Sequence, residues 1–442
     1  MKIIPEKTNT FCYYPFTQLS LKAWSNGAGI INAAPCCNSS RPETPDPLHN
    51  GTRIKQNKLT ALEIFHSSDM DELRHALLNN TQHPACTTCW KMENNNLKSY
   101  RFNSSPPDPE DFDIDNPKLQ CIDFGFGEHC NLRCRMCQPA ASNKLRTDYN
   151  YFVKNNLDTT GIAGFDYKND IKNKDMNYTF HTKENSHNET LYWDNGTQWE
   201  DILANIHLLK SIKATGGETT IAKPFLQFID VAIETDNAKN IILEFHSNAT
   251  KFTKTFIKKL LKFKYVRFNL SIDSTGKNYE YIRYPMKWDI LNNSVNNLID
   301  EFIEKEKMAN IELTSVISIL NAYDIPDLMK WWQSNFLKNE NILTSFFYID
   351  LLWPENKFIN IKFLSREIKE ELIEQFSSIE NNRNTNITHI SGYLKTHLNY
   401  QVTDTDRKNM LREVTLFDKV RNQSYKDYLN PKIIKFLETP IE

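Results

Sequence analysis

Three of the nine cysteines in this 442-residue chain fall in one short stretch, Gly125-Phe126-Gly127-Glu128-His129-Cys130-Asn131-Leu132-Arg133-Cys134-Arg135-Met136-Cys137. A Cys-x3-Cys-x2-Cys run suits iron–sulfur ligation. Cubane clusters are held by thiolates from short loops, and three ligands in place of four leave one iron free to bind something else. Zinc is the competing metal. It is usually held by two Cys-x2-Cys or Cys/His pairs that close a tetrahedron, and His129 is the one fourth candidate nearby.

The loop must be positioned by its neighbours. Leu119-Gln120-Cys121-Ile122-Asp123-Phe124 alternates as a strand does, and Ala140–Tyr149 reads as a helix. The cysteines therefore follow the C-terminal end of a strand, the end at which strand–helix barrels carry chemistry. Here the sequence resembles the radical S-adenosylmethionine (radical SAM) enzymes, whose fingerprint is this loop after the first strand of a partial barrel. The resemblance implies a 4Fe-4S cluster on Cys130, Cys134 and Cys137. It also implies S-adenosyl-L-methionine at the free iron, with Met136 among the residues that contact this cofactor.

A second strand, Ser211–Ala214, ends in Thr215-Gly216-Gly217-Glu218-Thr219. Paired glycines let backbone groups approach a ligand, and a following carboxylate can receive an ammonium group. Gly-Gly-Glu is weak alone. Placed one strand after the cysteine loop, Gly216, Gly217 and Glu218 match the radical SAM motif that receives the amino group of the cofactor. The resemblance extends to Asn248 in His246-Ser247-Asn248-Ala249-Thr250, to Ser271 and Asp273 at the end of a fourth strand, and to Arg283. A hydroxyl and a carboxylate at these places can hydrogen-bond a ribose or the methionine end of the cofactor. Arg283 resembles a residue that pairs with the cofactor carboxylate; a local Asp273–Arg283 salt bridge is the plain alternative.

Five more cysteines lie in residues 1–105: Cys12, the pair Cys36-Cys37, and Cys86-x2-Cys89. Spacing alone admits either zinc or an iron–sulfur cluster. The segment is similar to the twitch and SPASM modules of radical SAM enzymes in Cys12-x2-Pro15-Phe16, in a glycine-containing hairpin ending at Pro35-Cys36-Cys37, in Leu73-Arg74-His75 and in Pro84-Ala85-Cys86-Thr87-Thr88-Cys89-Trp90. It departs from them in preceding the barrel and in the longer distance from glycine to the cysteine pair. The resemblance implies an auxiliary 4Fe-4S cluster on Cys12, Cys86, Cys89 and one of Cys36 and Cys37, with Cys36 favoured.

The expected architecture is α/β: a partial (β/α)6 TIM-type barrel with an N-terminal cysteine-rich twitch-like module. The hairpin pairs Leu19–Trp24 with Ile30–Ala34, and Lys58–Phe65 and Ser67–Leu78 read as helices, the second capped by Ser67 or Asp69. Prolines 106 and 107 open a linker over 106–116. The barrel follows over 117–355, with further strands at Ile241–His246, Val266–Ile272, Asn310–Ser318 and Thr344–Leu352. Residues 150–190 lack periodicity and read as an insertion, a candidate lid. The aromatic residues Trp193 and Trp199 beyond it either contact substrate or staple the helix Ile202–Leu209 to the sheet. A C-terminal helical segment, 356–442, carries helices at Ser365–Phe376, Asp404–Asn422 and Tyr425–Leu437, the last interrupted at Asn430-Pro431.

Composition narrows the partners. A hydrophobic fraction of 40%, a charged fraction of 24% and a net charge of −2 are ordinary for a globular protein and leave no electrostatic footprint for nucleic acid. No apolar run reaches membrane-spanning length, and Met1-Lys2-Ile3-Ile4 does not read as a secretory signal, so a cytoplasmic location is expected. The resemblance implies a reductant protein such as flavodoxin or ferredoxin. It also favours a peptide or protein side chain as substrate, with a sugar, a nucleotide or a non-catalytic iron–sulfur or zinc protein as the competing readings.

Overall fold

The computed structural model describes residues 9–23, 31–39, 59–95, 97–106, 109–137, 141–159, 197–337, 340, 342–349, 358–379 and 388–440. Eight strands form one sheet: β1 (Gln18–Ala23), β2 (Ile31–Ala34), β3 (Cys121–Gly125), β4 (Ser211–Thr215), β5 (Ile242–Ser247), β6 (Tyr265–Ser271), β7 (Ala309–Val316) and β8 (Ile342–Ile349). Their order is β2-β1-β3-β4-β5-β6-β7-β8. The run from β3 to β8, with helices between its strands, is the expected partial (β/α)6 TIM-type barrel. All six barrel strands lie within three residues of their expected bounds.

The N-terminal hairpin is part of this sheet. β1 and β2 pair antiparallel with Leu21 opposite Ala33, and β1 runs parallel to β3 with Leu19 opposite Ile122. The chain divides into two compact units, one over the described parts of Met1–Gly127, Lys183–Phe245 and Lys262–Val266, the other over those of Glu128–Thr182, His246–Leu261 and Arg267–Glu442.

In the first unit β4 and β5 alternate buried and half-buried residues, the pattern of strands covered by helices on one face. Trp199 stands edge-on to Phe124, centroids 5.4 Å apart, and donates to Gln227 at 2.8 Å, so it acts as the staple. Its helix is Thr197–Ala204, with only a single turn at Ile206–Leu208 where Ile202–Leu209 was expected to be helical. Ser67 caps the helix Ser68–Leu78, accepting from Met70 N–H. Phe112, in the expected linker, packs edge-on against Tyr13.

In the second unit, the helix after the cysteine loop is Arg146–Lys154, preceded by a turn at Asn143–Leu145, and so starts later than Ala140 and takes in the first residues of the expected insertion. Residues 160–190 and Trp193 lie outside the described residues. The C-terminal segment contains Arg366–Ser377, Asp404–Arg421 and Pro431–Glu438 as expected, and also Thr388–Thr396, which polar neighbours hid from sequence patterning. No helix among the described residues is long and apolar enough to cross a membrane.

Candidate metal centres

The three-cysteine loop belongs to the second unit. Cys130 and Cys134 are buried and Cys137 is half-buried; none of the nine cysteines is in a disulfide. The loop has little regular structure, so its backbone groups must be satisfied from outside. Arg133 N–H donates to Tyr284 O at 2.7 Å and Arg135 N–H to Ile282 O at 2.9 Å. Ser142 Oγ donates to Leu132 O at 2.6 Å.

The side chains between the cysteines extend this scaffold. Arg135 donates to Asp418 Oδ1 at 2.6 Å and to Tyr281 O at 3.0 Å, and its guanidinium lies 3.5 Å from the Tyr281 ring centre. Arg133 meets Asp148 at 2.6 Å, and Arg421 reaches both Asp148 (2.7 Å) and Arg133 O (2.6 Å). The helix Asp404–Arg421 thus clamps the loop through buried ion pairs. Sequence reasoning missed this clamp. Arginines at alternate positions among cysteines were the available signal, but Asp418 and Arg421, which meet Arg135 and Arg133, lie more than 280 residues away.

Three groups donate to the sulfurs. Leu132 N–H meets Cys130 Sγ at 3.4 Å, Asn248 Nδ2 meets the same sulfur at 4.0 Å, and Arg283 Nη1 meets Cys134 Sγ at 3.9 Å. Asn248 is set by a closed ring: it donates to Asn131 Oδ1 at 2.9 Å, Asn131 donates to Thr250 Oγ1 at 2.9 Å, and Thr250 returns to Asn248 Oδ1 at 2.6 Å. Burial pushes the Cys134 thiol up, while the Arg283 guanidinium pulls against it. Such donors favour a thiolate and tune any metal it holds.

Arg283 is aimed by Asp273, whose Oδ2 accepts its Nε at 2.5 Å and whose Oδ1 accepts Val316 N–H at 2.8 Å. The salt bridge read as the alternative is therefore present, and Asp273 is fully buried within it. Ser271 closes β6 and is half-buried. Met136 is buried in the loop.

The glycine turn belongs to the first unit. Gly216 has φ +96°, and a Cβ there would stand 2.7 Å from Gly127 O, so only glycine permits this approach. Gly127 is itself at φ +91° and precedes Cys130 by three residues in the chain. Gly217 follows at φ +47°. Glu218 is 1% exposed, and its Oε1 accepts Thr220 N–H at 3.1 Å and Thr220 Oγ1 at 2.5 Å, fixing the carboxylate at the end of β4.

Also in the first unit, Cys12, Cys36, Cys86 and Cys89 line one small cavity, together with Tyr100 and Arg101; Cys37 is not in its wall. Cys12 packs with Leu73, Leu77 and Trp90. Arg101 pairs with Glu93 at 2.6 Å and lies over Trp90, and Asn38 Nδ2 stands 3.6 Å from Cys89 Sγ. Burial pushes the Cys12 thiol up to about 11 and the Cys86 thiol up to about 12, so ligation here must displace protons.

Among the described residues, no three His, Cys, Asp or Glu side chains converge on a single-ion site. Tetrahedral zinc needs its sulfurs about 3.8 Å apart, from a Zn–S bond of about 2.3 Å. A cubane spreads its ligands over separate irons. Both cysteine groups offer thiols with donors to the sulfurs, an arrangement that suits metal-bound thiolates.

No family model matches the chain, and no curated protein matches its sequence. Among solved structures it is similar to anSMEcpe with bound AdoMet (14% identity, TM-score 0.33, covering 69% of this chain and 62% of that one). It is also similar to Streptococcus suis SuiB bound to S-adenosylmethionine (14%, TM-score 0.31, 59% and 44%) and to SuiB bound to precursor peptide SuiA (13%, TM-score 0.34, 80% and 59%). The chain thus spans about three fifths of the length of the first of these.

Proposed function

We propose that the chain is a radical SAM enzyme acting on a peptide or protein side chain. The observation that carries this reading is the cysteine loop itself: three thiols at the exit of a barrel strand, held by a pre-built polar scaffold, with Asn248 and Arg283 donating to their sulfurs. Cys130, Cys134 and Cys137 would hold a 4Fe-4S cluster, which with S-adenosyl-L-methionine would supply one-electron, hydrogen-abstracting chemistry.

The chain's own residues hold and orient. Glu218 would take the ammonium group of the cofactor, with Gly216, Gly217, Met136 and Ser271 as further cofactor-binding residues. Asp273 acts through Arg283, holding the guanidinium toward Cys134. Cys12, Cys36, Cys86 and Cys89 bind an auxiliary 4Fe-4S cluster, a reading supported by their shared cavity and by the exclusion of Cys37 from its wall. A protein reductant such as flavodoxin or ferredoxin supplies the electron.

The test is anaerobic reconstitution with iron and sulfide followed by dithionite reduction with S-adenosyl-L-methionine. Formation of 5′-deoxyadenosine is expected. Brown, iron-replete protein that forms none would contradict the enzymatic reading and leave an electron-transfer or cluster-carrying protein in its place.

A further inference from the structure

The inward positions of a strand–helix barrel are ordinarily filled by layers of branched apolar side chains. The first unit departs from this on one face of its sheet. Leu21 and Phe124 belong to the fully buried face, where Phe124 meets Trp199 of the covering helix. The alternate positions carry Ser20, Lys22, Asp123, Lys213, Thr215 and Glu244. Register aligns them in two rows: Ser20, Asp123, Lys213 and Glu244 stand side by side on β1, β3, β4 and β5, with Lys22, Gly125 and Thr215 one layer along.

The second layer is shaped around Lys22. A Cβ on Gly125 would stand 2.7 Å from Lys22 Cδ, so the glycine clears a path for the lysine to cross β3. The ammonium then reaches Asp123 at 3.0 Å and Thr215 Oγ1 at 3.3 Å. Asp123 is 1% exposed, and its other oxygen accepts Ser20 Oγ at 2.9 Å, so this carboxylate is consumed within the fold. Lys213 pairs with Glu244 at 3.2 Å. Burial works against the Lys213 charge, but Glu244 outweighs it and the ammonium stays protonated.

Each ammonium has three N–H donors. Lys22 meets both Asp123 oxygens and Thr215 Oγ1, whereas Lys213 meets only Glu244 among the described residues, and both lysines remain partly exposed. As a source of stability the arrangement is poor, since apolar side chains of similar volume usually do as well as buried ion pairs or better. Its place is informative. Thr215 directly precedes Gly216, and Ser20 pairs with Ala34, two residues before Cys36, so the rows lie between the two candidate cofactor-binding ends of this unit.

We propose that this face is a carboxylate-binding site, with Lys22 and Lys213 donating to the carboxylate and Asp123 and Glu244 orienting the two ammonium groups. Calling its ligand a substrate rests on the enzymatic reading above; the binding chemistry does not. The carboxylate belongs to an acidic side chain or to a peptide C-terminus.

Calorimetric titration of the full reconstituted protein with N-acetyl-glutamate amide, N-acetyl-alanine and N-acetyl-glutamine amide separates the cases. A carboxylate site binds one or both of the first two at least tenfold more tightly than the third, and the preferred one tells side chain from terminus. Lys213→Met should lower that affinity at least tenfold. So should the paired change Lys22→Met with Asp123→Asn, which leaves no unpaired buried charge to unfold the sheet, while melting temperatures stay near wild type. Equal binding of the glutamate and glutamine probes, absence of binding by either carboxylate, or unchanged affinity in the two lysine variants would overturn the proposal and leave a purely structural charge ladder. Repeating the titration with Cys130, Cys134 and Cys137 all changed to Ala keeps the two readings apart. Carboxylate binding should persist there, whatever happens to S-adenosyl-L-methionine cleavage.

Discussion

The two cysteine groups are held in opposite ways. Cys130, Cys134 and Cys137 sit on a loop whose geometry is set by ion pairs and carbonyl contacts from other elements of the second unit, chiefly Asp148, Asp418 and Arg421. Cys12, Cys86 and Cys89 are set by apolar packing around Leu73, Leu77 and Trp90, and the fourth thiol, Cys36, arrives from the end of a short edge strand. A loop fixed by its surroundings can keep one metal position open, because folding does not depend on filling it. A pocket of four thiols closed around a metal draws folding energy from ligation. On the proposed reading, the contrast is between a centre open to a cofactor and a closed one.

The largest effects should come from the cysteines. Changing any one of Cys130, Cys134 and Cys137 to Ala should abolish 5′-deoxyadenosine formation and barely move the melting temperature. Cys89→Ala should instead lower it by at least about 5 °C in reconstituted protein. Equal melting shifts in both groups would break the comparison. Next comes the clamp: Asp418→Ala leaves Arg135 buried without its carboxylate, a loss of about 3–5 kcal/mol by denaturant unfolding. Asp418→Asn, which retains an acceptor, should cost less. If Asp418→Ala proved neutral, the loop would not be held from outside.

A smaller effect is expected at Glu218. Removing one charge-assisted hydrogen bond worth about 1.5–3 kcal/mol should weaken S-adenosyl-L-methionine binding about 10- to 100-fold, with iron content unchanged. Loss of iron in Glu218→Ala would make the residue structural. The smallest concerns Glu413 on the clamping helix, whose carboxyl burial raises to about 8 against the pull of Arg135 and Arg412. A folded-state value above the unfolded one gives stability that is complete at low pH and is lost as pH climbs toward 8. Glu413→Gln should therefore gain in melting temperature over wild type between about pH 5 and 8. A gain independent of pH would mean that the carboxyl is not titrating there.

What was legible in the sequence had local causes. Strand-like runs located β3 to β8, a glycine-containing turn marked the hairpin, and cysteine spacing located both candidate centres. What was not legible depended on distant partners. Nothing near Arg135 announces Asp418, and nothing near Lys22 announces that Gly125 would clear its path to Thr215. The Asp273–Arg283 pair was visible as an alternative because both residues lie in one strand–helix unit, within hydrogen-bonding reach along the chain.

On the proposed reading, one centre is open to S-adenosyl-L-methionine and the other closed. Electron paramagnetic resonance of dithionite-reduced, reconstituted protein tests it directly, with iron counted on the same samples. Wild type should carry about eight irons, and the Cys130, Cys134 and Cys137 triple-Ala variant about four. Adding S-adenosyl-L-methionine should shift part of the wild-type signal and leave the variant's signal unchanged. A variant whose remaining signal still responds to S-adenosyl-L-methionine, or one that holds zinc in place of iron, would contradict the account.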